Sequence, residues 1–82
     1  MKPLALMGRS FSTEDIKQRT RKALGESLRA SRVALGYSVR FVSMETGISR
    51  QIIYNTEDGK ANSTIDTVAV LAGFYAKELR LE

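Results

Sequence analysis

Three glycines, Gly36, Gly47 and Gly59, punctuate the 82-residue chain where its apolar patterns stop. Glycine adopts the left-handed conformation that closes a helix without steric cost, so each is a natural stop. Ahead of the first, Ile16, Ala23, Leu24, Leu28 and Leu35 recur at helical spacing. That stripe predicts a long helix opened by Ser12 or Thr13, with Glu14 and Asp15 complementing its positive end. Ser27 and Ser31 weaken the stripe, and Gly25 argues against continuity. The next segments are short: Ser38 can cap a helix from Val39 to Thr46, and Ser49 a second from Arg50 to about Glu57, ended by Asp58 and Gly59. Ser63 or Thr64 opens a further helix carrying Ile65, Val68, Leu71, Ala72 and Tyr75.

The expected class is therefore all-α, with four or five helices. Residues 1–11, with the only proline, Pro3, and Gly8, read as a loose arm, residues 12–76 as the domain and 77–82 as a tail. In the tail, Leu79 and Leu81 alternate with Glu78, Arg80 and Glu82, which is strand periodicity. Leu71, Tyr75 and Leu79 also share a helical face, so a helix running on to the end is the competing expectation.

The length admits one domain, and a chain this short buries only about 60% of its unfolded surface. There is no Cys and no His. Their absence excludes disulfides, the usual zinc sites and most nucleophile–base pairs, and leaves the eight serines without an imidazole to activate them. The carboxylate pairs Glu14/Asp15 and Glu57/Asp58 read as helix-end and solvated charges, so neither an enzyme nor a cofactor is expected. The formal charge is +4, and the pI is about 9.8. Lys17, Arg19, Arg21, Lys22, Arg29, Arg32 and Arg40 face a single acid, Glu26, within their stretch. Such a segment suits DNA, RNA or an anionic membrane, although taken alone it is more often a solvated helix face. Leu4-Ala5-Leu6-Met7 is too short for a signal-peptide core, and the chain reads as soluble and cytoplasmic, with no membrane partner.

Two short helices joined by a tight glycine-containing turn are the recipe for a helix-turn-helix, expected here over Val39–Gly59. Ser43 is small where the helices would touch, Gly47 sits at the sharp turn, and Val42, Ile48 and Ile53 are spaced to pack between them. Capping by Ser49 leaves Arg50, Gln51, Tyr54 and Asn55 on or near the outer face of the second helix. Arginine can grip guanine, and Gln or Asn can grip adenine, through base edges in the major groove.

In order and spacing, "LGESLRASRVALG", "TGIS", "TEDGKANST" and "TIDTVAVLAGFY" resemble the landmarks of the Xre/Cro family of repressors, which includes phage cI and Cro proteins and many antitoxins. The likeness runs from Leu24 to about Ala76. It implies a repressor-like fold in which Arg50, Gln51 and Asn55 contact bases, while Tyr54 touches DNA or shields the core. Ser38, Arg40, Ser49, Lys60 and Asn62 would hold the phosphate backbone, and Arg32 would pair with Glu57 as an internal ion pair. The chain departs from the family at Ser43, usually Ala; at Val39, commonly a phosphate-touching Gln; and at Thr56, usually aliphatic. Val39, Phe41 and Ile52 make the unit unusually apolar, and extra packing against the first helix is the expectation for them, with a partner surface as the alternative.

The function implied first is sequence-specific binding of double-stranded DNA by a dimeric transcriptional repressor. Its palindromic half-sites would lie one helical turn, roughly 34 Å, apart. The alternative is an antitoxin that neutralises a toxin and represses its own operon, and a weaker third reading is a basic RNA- or lipid-binding helix. Two tails pairing antiparallel through Leu79 and Leu81 would supply the dimer contact.

Overall fold

A computed structural model describes residues 12–60 and 64–79. They form four helices and no strand: α1 (Thr13–Leu35), α2 (Val39–Thr46), α3 (Arg50–Glu57) and α4 (Ile65–Leu79). A hydroxyl opens each helix. Ser12, Ser38 and Ser49 accept from the backbone N–H of Asp15, Phe41 and Ile52 at 3.0, 3.0 and 3.2 Å, and Thr64 accepts from that of Thr67 at 3.1 Å. Each bond satisfies one amide that the first helical turn leaves without a partner. Gly36 and Gly47 close α1 and α2 in the left-handed conformation, at φ 75° and 81°.

α1 packs on α3 and α4, and α2 packs on the same two helices. Between them lies a core of Leu28, Val39, Val42, Ile53, Leu71 and Tyr75, with Leu35, Tyr37, Ile48, Val68 and Phe74 partly buried around it. Every helix contributes to this core, so none is an appendage. The first turns of α1 behave differently, since each residue from 12 to 20 is exposed.

Gly25 does not break α1, because it is where α1 meets the end of α3. A Cβ there would fall 2.5 Å from the Glu57 carbonyl oxygen and closer still to that of Thr56. Gly59 makes the reciprocal approach: a Cβ on it would lie 2.8 Å from the Lys22 Cα. Backbone therefore meets backbone on both sides of this contact, and only glycine leaves the room.

Two expectations are corrected. Residues 77–79 are helical, not extended, because the stripe of Leu71, Tyr75 and Leu79 continues beside α1 and backbone bonds inside a helix satisfy groups that a lone strand would leave open. The Tyr37 hydroxyl also donates to the Glu78 carboxylate at 2.6 Å and ties that last turn down. Leu81 and the arm 1–11 lie outside the described residues. Nor do Phe41 and Ile52 thicken the packing on α1. The Phe41 ring meets that of Tyr37 at a tilt of 51°, with centroids 4.6 Å apart, Tyr37 in turn meets Phe74 of α4, and Ile52 is exposed. Val39 alone of the three enters the core. Among the described residues no helix is long and apolar enough to cross a membrane.

The two helical glycines should respond oppositely to alanine. Gly25→Ala should destabilise by about 1–3 kcal/mol through overpacking against backbone. Gly73→Ala, where a Cβ meets nothing within 4 Å, should stabilise by about 0.5–1 kcal/mol. Thermal melts of both variants check this, and a Gly25→Ala protein that melts with the wild type would rule out so close an approach.

Candidate nucleic-acid interface

α3 has only eight residues, fewer than an isolated helix needs in water. Its position is set by what it buries. Ile53, Thr56 and Glu57 turn inward, and the Thr56 hydroxyl donates to the Ile52 carbonyl at 2.8 Å, so a Thr at this buried place leaves no polar group unpaired.

Glu57 is the unusual member, because a carboxylate at a helix C-terminus meets the negative end of the dipole and is costly to bury. Arg32 compensates. Its Nε and Nη2 donate to the two Glu57 oxygens at 2.7 and 2.9 Å, with the side chains only 12% and 4% exposed. Its Nη1 donates to the Tyr37 carbonyl at 2.9 Å. One guanidinium thus joins the end of α1, the α1–α2 connection and the end of α3. The Glu57 hydrogen bond raises the Arg32 pKa further above its ordinary value.

The opposite face of α3 is open. Arg50, Gln51, Ile52 and Tyr54 are exposed, and Asn55 is half-buried at the edge. Gln51 Nε2 donates to Asn55 Oδ1 at 3.1 Å, so the two amides stand one turn apart as an ordered pair. Asn55 keeps both of its amide protons, and Gln51 keeps its carbonyl oxygen and a second N–H, a donor and acceptor set suited to a flat polar edge.

Ser38 and Ser49 are the caps of α2 and α3, and Arg40 is exposed in the first turn of α2. Lys60 is exposed, and its backbone N–H donates to the Asn55 carbonyl at 2.9 Å, which draws the chain back over the end of α3. Asn62 lies outside the described residues. Val39 is buried and offers no side chain to a phosphate. Leu79 lines a shallow groove between α1 and α4 with Leu24, Ser31 and Ala76.

Sequence spacing did not reveal that Lys22 lies against Gly59, nor that Met44 is 71% exposed on α2. Helical periodicity orders residues within an element but says nothing about which elements meet. Among the described residues no group of Asp and Glu side chains is placed to hold a metal ion.

Fold and site together define a small protein, all-helical among the described residues, that presents one arginine and two amides on the open face of a short helix. No family model, no curated protein and no solved structure matches the chain.

Removing either member of the ion pair should cost about 3–5 kcal/mol, because the other charge stays buried alone. The Arg32→Ala/Glu57→Ala double variant should lose less than the sum of the single losses. Denaturant titration of the four proteins measures the coupling, and strict additivity would mean that the two side chains do not act as a pair.

Burial pushes the Tyr75 hydroxyl from the usual 10.0 up to about 12. The unfolded chain therefore releases this proton first, so the stability it contributes is intact below pH 10 and is lost as pH rises towards about 12. Tyr75→Phe should flatten that part of the alkaline stability curve. Because the buried hydroxyl has no partner among the described residues, the variant should not melt lower at neutral pH. A clear loss of melting temperature there would show that the hydroxyl is bonded.

Proposed function

We propose that this protein is a sequence-specific double-stranded DNA-binding regulator of transcription, acting as a dimeric repressor that reads the major groove with α3. The carrying observation is the outward face of α3. Arg50 and the Gln51–Asn55 amide pair are displayed there by a helix whose inner face is held through Ile53, Thr56 and Glu57. Arginine suits the paired acceptors of guanine, and a Gln or Asn amide suits the donor and acceptor of adenine. An ordered amide pair has already lost part of the side-chain entropy that binding would otherwise cost. In this reading α2, α3 and the Gly47 turn are a helix-turn-helix, with α2 lying across the backbone. Tyr54 and Ile52 offer apolar surface for a thymine methyl, and Ser38, Arg40, Ser49 and Lys60 face phosphates on either side.

One recognition helix covers few base pairs, so useful specificity asks for a second copy of the chain on an adjacent half-site. Strand pairing through residues 77–79 is not available to build that dimer, since they belong to α4.

Selection of duplexes from a random pool should return a preferred site, and a pool that yields no enriched sequence sinks this reading. On that site, Arg50→Ala and Gln51→Ala should each lose roughly 1–3 kcal/mol of binding, with much smaller losses on random DNA. Equal losses on both duplexes would move the reading surface elsewhere.

A further inference from the structure

We propose that Lys22 of α1 and Lys60 after α3 together form a second phosphate anchor, at the end of α3 remote from Arg50. The inference rests on the DNA-binding reading and adds a contact from a helix outside the recognition unit. Two observations bring the lysines together. The Lys22 backbone lies against Gly59, whose added Cβ would come within 2.8 Å of the Lys22 Cα and 3.0 Å of its nitrogen. Arg21 Nε also donates to the Gly59 carbonyl at 3.4 Å. Lys60 follows directly, held by its backbone bond to Asn55. The two lysines therefore spring from adjacent backbone although they are distant in sequence.

Both side chains are exposed, and neither enters an ion pair among the described residues. Glu26, one turn along α1 from Lys22, and Asp58, beside Gly59, are exposed and leave them unpaired. Converging like charges without a counter-charge oppose folding slightly and favour a polyanion.

The spacing fits a duplex. The eight residues of α3 extend about 12 Å, close to the roughly 12 Å width of the major groove, which has a phosphate backbone along each wall. Arg50 meets base edges from one end of that helix, and the Lys22–Lys60 pair meets the phosphate backbone from the other. In this reading the close approach at Gly59 brings Lys22 of α1 beside Lys60, where it adds a contact with the second strand.

Salt titration of binding tests the anchor, using a short random-sequence duplex and the selected duplex as probes. For Lys22→Ala, Lys60→Ala and the double variant, the slope of log affinity against log salt should fall by roughly 1 for each lysine removed, on both duplexes alike. Melting temperature should not fall. Asp58→Asn should tighten binding of both duplexes at low salt, by removing a negative charge two residues from Lys60. An unchanged slope in the double variant, while the wild type still prefers its selected duplex, overturns the anchor and leaves the regulator reading standing. A lower melting temperature with an unchanged slope also overturns it, assigning the lysines to the negative end of the α3 dipole. A wild type that binds neither duplex removes both.

Discussion

The guanidinium of Arg32 is shared between two parts of the chain that have no covalent reason to be near each other, the Glu57 carboxylate and the Tyr37 carbonyl. Alone, either charge of the ion pair would be expensive in so dry a position. Paired through two parallel bonds, they define one orientation of α3 against α1, since a bidentate fork tolerates little rotation. A buried pair of this kind is weak evidence for net stability, because hydrophobic residues can fill such a place as well. Its stronger effect here is on geometry: displacing the end of α3 would leave Glu57 buried and uncompensated.

Glycine supplies the other half of the same constraint. Gly25 lets the α1 backbone reach the last carbonyls of α3, and Gly59 lets the following turn lie against Lys22. Without these approaches the fork of Arg32 would have to span a wider gap. Together they clamp α3 at its C-terminal end, while capping by Ser49 closes its N-terminal end. The outward side chains of a very short helix thereby inherit the rigidity of a long one. In the proposed function this rigidity is what a reading helix requires, because base edges discriminate only when donors and acceptors arrive in register.

Polar groups inside the molecule follow the same economy, with one exception. Thr56 is satisfied within its own helix, and Tyr37 is satisfied by Glu78. Tyr75 buries its ring in the centre of the core and leaves its hydroxyl without a partner among the described residues. Its ring belongs to a core that all four helices share, and the area it buries explains a large residue there better than its polar tip does.

Much of this molecule was legible in the sequence. Serine and glycine set the helix boundaries, because a capping hydroxyl and a left-handed glycine act within a few residues of where they stand. The outer face of α3 was legible for the same reason, since 3.6-residue periodicity sorts one helix into sides. The strand expected over residues 77–82 rested on a window short enough to fit two periods, and contacts with α1 and Tyr37 hold the described part, residues 77–79, in the helix. Gly25 reads as an interruption until α3 lies across it, and Lys22 reads as one cation among several until Gly59 packs against it. Local chemistry, which depends on near neighbours in the chain, determined the helices and their caps. The tertiary structure alone decided which helices touch, where Arg32 finds its carboxylate and which lysines share a surface, because those contacts join residues that sequence spacing cannot relate.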